Sequence, residues 1–262
     1  MKVPGFETVT FSHDKVEREV FRAGSGPAVI IMTEVPGITP QVARFARWVA
    51  DAGFSVFMPQ LIGTPMRPLT RGRVVASIAR ICISREFRML AANESSPIVD
   101  WLRALARDAH AQCGGPGVGA IGMCLTGNFA LSMMLDAPVL APVLSQPALP
   151  AGLTPGMRAA LHASPAEIAA AHEKIEKQGA RILGLRFHGD PMCPPERFKR
   201  LREEFGDAFE GIELDPAHAN PLAMKPAHSV LTTHLIDAVG EPTRAALDRT
   251  LQFLAEQLKP AP

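Results

Sequence analysis

The sequence lacks long hydrophobic runs and shows no excess of charge of either sign. No stretch of about 18 apolar residues occurs in the chain, so we expect no membrane span. Its 262 residues include 27 basic and 26 acidic side chains, a net charge of +1. This near balance gives no broad field that would hold nucleic acid or an anionic membrane. A small molecule is therefore the expected partner, and the oligomeric state stays open.

Cysteine is scarce, and the four cysteines have no paired spacing. They are Cys82, Cys113, Cys124 and Cys193. The first residues, MKVPGFETVTFSHDK, contain no apolar run of the length that a signal peptide needs. We therefore expect free thiols and a cytoplasmic protein.

Motifs for common cofactors and metals are also missing. The sequence contains no P-loop and no GxGxxG fingerprint, and the glycine-rich run GGPGVG at 114–119 precedes a strand instead of following one. Metal-binding spacings such as HExxH or CxxC do not occur. We expect neither a cofactor nor a metal ion.

Short apolar runs alternate with amphipathic segments along the whole chain. The runs predict strands at 27–34, 54–59, 117–122, 137–145, 181–190 and 208–215. Helical periodicity predicts helices at 41–53, 73–92, 96–112, 126–136, 164–178, 194–205 and 242–258. This alternation is typical of one α/β domain over residues 1–262, with a doubly wound, mainly parallel sheet and helices on both faces.

The stretch GAIGMCLTG at 119–127 has the setting of a catalytic nucleophile. A predicted strand enters it and a predicted helix leaves it, as in the strand-to-helix turn with consensus G-x-S-x-G. Cys124 occupies the nucleophile position at a helix N-terminus, which favours a thiolate, and the Leu125 amide would be one oxyanion donor. Thr126 stands where the consensus has its second glycine, and Gly127 could share that role. The alternative is a cysteine that acts as a small buried hydrophobe.

An acid and a base follow in the chain order that this type of site uses. Asp190 ends the strand at 181–190, although aspartate before proline is also a common turn residue. The base is open between His218, directly after the last predicted strand, and His228, ten residues later. His234 follows a little beyond, whereas His188 is assigned to the strand end.

Three short motifs resemble those of the dienelactone hydrolase family of α/β-hydrolases. GMCLTG, Asp190 with Pro194, and the stretch Ala227-His228-Ser229-Val230 are similar to the family's G-x-C-x-G-G, D-x-x-x-P and G-H-S-F motifs. The resemblance covers about residues 27 to 258 and favours His228 over His218, because the closing helix after His228 is also similar. It implies an α/β-hydrolase fold and cleavage of a lactone or small carboxylic ester through a Cys124–His228–Asp190 triad and an acyl-enzyme.

The resemblance also implies residues around the thiol. Glu34, at the end of the first apolar run, would contact the resting thiol and move when substrate binds, and the Val35 amide would be the second oxyanion donor. The alternative for Glu34 is a carboxylate that faces water. An arginine binds the substrate carboxylate in the family, and the candidates here are Arg67, Arg71, Arg73, Arg85 and Arg88. Arg85 is the first to test, although a solvated helix charge is at least as good an interpretation.

Two segments look longer than in typical members of the family. They lie near 148–178 and 215–227, and we expect these insertions to cover the pocket. They leave room for another hydrolase activity, a general carboxylesterase or thioesterase with an enlarged pocket. A scaffold that binds a ligand without catalysis is a further alternative, and the presence of thiol, acid and imidazole argues against it.

Overall fold

Eight strands form one sheet in the computed structural model, which describes residues 2–70, 72–77, 96–148 and 154–259. The strands are β1 (Glu7–His13), β2 (Val16–Ala23), β3 (Ala28–Met32), β4 (Ser55–Pro59), β5 (Val118–Met123), β6 (Val139–Ser145), β7 (Ile182–Phe187) and β8 (Phe209–Leu214). Their order is β1-β2-β4-β3-β5-β6-β7-β8. Only the pairs β1–β2 and β2–β4 are antiparallel. The predicted α/β class with a mainly parallel sheet is confirmed.

The central strands are apolar because both faces of the sheet are covered. β3, β5, β6 and β7 are buried along their whole length, as parallel strands between two helical layers must be. Parallel pairing brings the carboxyl ends of β3 to β8 to one edge of the sheet. Ligands of open α/β sheets bind outside this edge, so it is the place to look for a site.

The helices are α1 (Pro40–Asp51), α2 (Pro97–Cys113), α3 (Phe129–Ser132), α4 (Pro155–Ala159), α5 (Pro165–Gln178), α6 (Pro195–Phe205) and α7 (Pro242–Leu258). Residues 72–77 are also helical, and the rest of the helix predicted at 73–92 lies outside the described residues. Thr39 caps α1 by accepting a hydrogen bond from the Val42 amide at 3.2 Å. Within the described ranges, no helix has both the length and the apolar character needed to cross a membrane.

Three elements differ from the prediction: the short helix α4, which was not predicted, the first hairpin, and the helix at 126–136. The hairpin of β1 and β2 was not predicted, because its side chains are mostly exposed or half-buried and give no apolar run. It packs on α2, where the Trp101 ring lies 5.2 Å from that of Phe11. The helix predicted at 126–136 is helical only over α3, since Pro138 and the start of β6 follow within a few residues.

Helix α5 occupies part of the segment that was predicted as an insertion near 148–178. Its Glu167 is buried and lies 2.5 Å from the guanidinium of Arg103 on α2. Its Lys174 contacts the carbonyl oxygens of Ala137 and Val139, at the amino end of β6. α5 therefore runs along the sheet away from the carboxyl edge, as a helix that connects β6 to β7. That the segment near 148–178 covers the pocket stays a prediction.

Candidate active site

Cys124 lies at a strained turn between β5 and the helix that follows. Its φ angle of 56° is in the left-handed region, where residues other than glycine are uncommon. The 3-10 turn Cys124–Thr126 begins there and leads to α3, and the thiol is partly exposed. Backbone strain of this kind costs on the order of 1–3 kcal/mol and concentrates at functional sites.

The neighbours of Cys124 explain how the turn forms. A Cβ atom on Gly122 would lie 2.1 Å from the Thr126 carbonyl oxygen, so only glycine fits there. Thr126 replaces the consensus glycine without difficulty, because its buried hydroxyl contacts the carbonyl oxygen of Met32 on β3 at 2.9 Å and accepts from the Met123 amide at 2.9 Å. The close approach that Thr126 does not provide occurs at Gly127, where a Cβ would lie 2.5 Å from Cα of Pro147.

Asp190 and His228 form a buried hydrogen-bonded pair beyond the carboxyl ends of β7 and β8. His228 Nδ1 lies 2.6 Å from Asp190 Oδ2. The other oxygen, Oδ1, accepts from the Met192 amide at 3.0 Å, which fixes the carboxylate. An imidazole that donates from Nδ1 to a buried carboxylate has Nε2 free to exchange a proton.

The second ring nitrogen of His228 is buried and has no hydrogen-bond partner among the described residues. Burial lowers the pKa of His228, but its interactions with the nearby Cys124 sulfur and its hydrogen bond to the Asp190 carboxylate outweigh burial and raise the pKa to about 10. A buried polar atom without a partner calls for an explanation. Here the explanation is that Nε2 belongs to a reactive group next to the thiol.

The other histidines that the sequence offered lie elsewhere. His218 is exposed on the 3-10 turn Pro216–His218, and His188 is exposed with Nδ1 3.9 Å from Glu213 Oε2. His234 is buried beneath the loop that carries His228. Its Nδ1 accepts from the Ser229 amide at 3.1 Å and its Nε2 donates to the Met224 carbonyl at 2.7 Å. Burial lowers the pKa of His234, so this ring serves as a neutral brace for the loop.

Glu34 is buried just after β3 and is held by three neutral side chains. Its Oε2 accepts from Ser229 Oγ at 2.7 Å and from Gln146 Nε2 at 3.1 Å, and its Oε1 accepts from Thr232 Oγ1 at 2.5 Å. Glu34 is therefore not a carboxylate that faces water, which was the alternative interpretation from the sequence. These bonds tie the end of β3 to the His228 loop, and they direct the Glu34 carboxylate to that loop.

Gln146 is a residue of the site that the sequence analysis missed. It follows β6, is fully buried, and donates to Glu34 while its Oε1 accepts from the Val230 amide at 3.3 Å and from the Ser145 hydroxyl. The signal was present in the sequence. Gln146 is a polar residue at the end of a buried apolar strand, the same pattern that pointed to Glu34 and Asp190.

The two backbone amides proposed as oxyanion donors lie beyond neighbouring strands. β3 and β5 pair in parallel with Met32 opposite Gly122, and Val35 and Leu125 each lie three positions further along. Both residues therefore lie at the same edge of the sheet and flank the turn at Cys124. Leu125 is in the first turn of the 3-10 helix, where backbone N–H groups point away from the helix.

A buried arginine binds the chain just after β6 and the residue that follows α4. The Arg197 guanidinium, on α6, donates to the carbonyl oxygens of Pro147 at 2.5 Å and Ala160 at 3.0 Å. Burial lowers its pKa. Pro147 also lies against Gly127, so Arg197 supports a residue that packs on the turn at Cys124.

The arginine candidates for a substrate carboxylate are only partly described. Arg85, Arg71 and Arg88 lie outside the described residues. Arg67 is exposed, and Arg73 donates from Nη2 to the Thr64 carbonyl at 3.4 Å.

The described cysteines, Cys113, Cys124 and Cys193, are free thiols. Within the same ranges no group of three or more histidine, cysteine or acidic residues is arranged to hold a metal ion.

Comparisons with known proteins agree on the fold. The model of the dienelactone hydrolase family matches residues 19–256. The chain is similar to a dienelactone hydrolase-like promiscuous phosphotriesterase from metagenomic libraries, at 19% identity, with 97% of this chain and 98% of that chain covered and a TM-score of 0.59. It is also similar to dienelactone hydrolase from Anabaena variabilis, at 16% identity, 97% and 98% coverage and a TM-score of 0.56.

A third similar structure is esterase 2 of Thermogutta terrifontis, at 15% identity, with 100% of this chain and 98% of that chain covered and a TM-score of 0.58. Among curated proteins, none matches this chain. Structural likeness at these identities establishes a shared fold, and the family match establishes a hydrolase.

Proposed function

Since the chain belongs to the dienelactone hydrolase family, we propose that it hydrolyses a lactone or small carboxylic ester through Cys124, His228 and Asp190. The observation that carries the proposal is the buried pair of Asp190 and His228, 2.6 Å apart, with the unpartnered Nε2 next to a thiol at a strained turn. This arrangement supports a nucleophile, its base and the group that orients the base.

In the proposed reaction, the Cys124 sulfur attacks the carbonyl carbon and its proton resides on His228 Nε2. The amides of Leu125 and Val35 bind the oxyanion that forms. The carbon–oxygen bond of the ester then breaks, and Nε2 donates its proton to the leaving oxygen. Water then attacks the thioester and gives a proton to Nε2. The carbon–sulfur bond breaks, which releases the acid and leaves the thiolate beside the protonated Nε2.

Glu34 has two proposed contributions. Its hydrogen bonds to Ser229 and Thr232 support a positioning role, in which Glu34 holds the loop of the catalytic histidine. The resemblance to the family adds that its carboxylate approaches the thiol in one state of the enzyme. That movement would require the bonds to Gln146, Ser229 and Thr232 to break.

The test compares wild type with Cys124→Ala on a dienelactone, a panel of p-nitrophenyl esters, a thioester and a phosphotriester. We expect the active substrate to be a lactone or carboxylic ester, and turnover in Cys124→Ala to fall by about 10⁴-fold or more. Cys113→Ala is the matched control, because that free thiol lies at the end of α2. Unchanged turnover in Cys124→Ala would contradict a covalent mechanism, and turnover confined to the thioester or phosphotriester would contradict the substrate class.

A further inference from the structure

A cavity of about 500 Å³ lies behind the loops that carry Asp190 and His228. Gly189, Ala227 and His234 form one wall, and the chain between Pro216 and Pro226 forms the rest. As far as the structure describes the chain, Cys124, Leu125 and Val35 do not line it. The cavity is therefore distinct from the space in front of the sulfur, and its volume is in the range of small-molecule sites.

The lining favours a compact apolar body. Most of the wall consists of three prolines and four alanines, whose side chains are short or closed into rings. Proline rings fix the backbone, so this wall is largely preformed. The segment that provides it, 216–226, lies in the stretch predicted from the sequence as an insertion at 215–227.

The charged groups of the cavity favour an anion. Lys225 lines it, is exposed, and makes no ion pair with any described residue. Among the described residues, no acidic side chain lines the cavity.

We propose that this cavity binds a small organic carboxylate whose anionic group pairs with the Lys225 ammonium. The inference goes beyond the proposed hydrolysis, which uses only the space in front of Cys124. A bound molecule would lie against His234, whose ring connects the Met224 carbonyl to the Ser229 amide next to His228. The site is thus placed where its ligand contacts the loop of the proposed base.

The experiment measures binding of benzoate and of its neutral analogue benzamide by calorimetry in a Cys124→Ala background. Because this background lacks the proposed nucleophile, the result does not depend on whether the protein hydrolyses esters. Lys225→Gln removes the charge, and Ala223→Leu fills the cavity. Lys177→Gln is the matched control, since Lys177 is an exposed lysine on α5 that pairs with Glu173 at 2.8 Å.

We expect benzoate to bind the Cys124→Ala protein, and benzamide to bind about tenfold more weakly. Lys225→Gln and Ala223→Leu should each weaken benzoate about tenfold, whereas Lys177→Gln should leave its affinity unchanged. Two results would overturn the proposal. One is no benzoate binding up to about 10 mM, and the other is benzoate binding that Lys225→Gln does not weaken.

Discussion

The carboxyl ends of β5 and β7 both lead into a loop that contains a cysteine, but the two thiols have opposite surroundings. Cys124 is partly exposed at a backbone φ of 56°, next to the imidazole of His228. Cys193 is fully buried, and burial raises the pKa of its thiol to about 12. The Cys193 carbonyl accepts from Arg186 at 3.0 Å, so this residue is a packed part of the loop that holds Asp190.

The difference shows that the position of a cysteine in the fold decides what its sulfur can do. Both residues follow strands of the same parallel sheet, at the same edge. At the end of β5 the turn leaves Cys124 partly exposed and next to the His228 imidazole. At the end of β7 the chain buries the sulfur and presents the Asp190 carboxylate to that same imidazole. The end of β5 therefore supplies the proposed nucleophile, Cys124. The end of β7 supplies Asp190, the carboxylate that binds His228, and its own cysteine stays buried.

The largest expected effect comes from removing the imidazole that distinguishes the two thiols. His228→Ala should lower kcat/KM by about 10⁴-fold or more, because no group remains to take the thiol proton and protonate the leaving oxygen. Alkylation of Cys124 by iodoacetamide should slow as well. His218→Ala is the control, since His218 is exposed on a separate turn. A loss of kcat/KM in His218→Ala as large as that in His228→Ala would show that the base has been assigned to the wrong histidine.

The next largest effect is expected from changing Asp190, the carboxylate after β7 that binds His228. The raised pKa of His228 means that its imidazolium persists from acid pH up to about 10 and loses its proton above that value. We expect the activity of wild type to decline on the alkaline side near pH 10. Asp190→Asn removes the hydrogen-bonded charge, so kcat should fall and the alkaline limb should move toward neutral pH.

A pH–rate profile of kcat/KM for both proteins measures this shift. An alkaline limb that stays in place in Asp190→Asn would show that Asp190 does not act through His228. Cys193→Ala provides the matched control on the same loop, and its profile should coincide with that of wild type.

Much of the fold could be predicted because its core strands and helix caps are local patterns. The apolar run of β3 and the helix cap at Thr39 are examples, because each is visible within a few consecutive residues. The β1–β2 hairpin could not be predicted in this way. Most side chains of its strands are exposed or half-buried, and the place of the hairpin at the end of the sheet depends on contacts such as that of Trp101 with the Val16 carbonyl.

The residues of the candidate site also fall into those that local sequence patterns indicate and those that only tertiary contacts reveal. Cys124 and Asp190 follow predicted strands, so motif and chain order point to them. The choice between His218 and His228 depended on a resemblance, because no local pattern tells which loop folds back toward Asp190. Ser229 and Thr232 come from the His228 loop and Gln146 from the end of β6, and all three bind Glu34 at the end of β3. Only the folded chain shows that meeting.

A smaller effect is expected from the residue that holds the turn at Cys124. Thr126→Val keeps the side-chain volume but leaves the Met123 amide and the Met32 carbonyl without their hydroxyl partner. We expect the free energy of unfolding to fall by about 1–3 kcal/mol, as measured by urea denaturation. Thr250→Val is the matched control, because its buried hydroxyl only donates to the Ala246 carbonyl within α7. An equal cost in both variants would show that the Thr126 hydroxyl has no special part in the turn.

The smallest effect is expected from the second thiol itself. Cys193→Ala should cost about 1–2 kcal/mol of stability, because it removes a buried sulfur and leaves a small void in the core. Turnover should stay within about twofold of wild type, and iodoacetamide should label Cys124 as before. This follows because the Cys193 thiol, at a pKa of about 12 and without access to water, stays protonated at neutral pH. Rapid alkylation of Cys193 in the folded wild-type protein would contradict this, since it would mean that both strand ends carry a reactive sulfur.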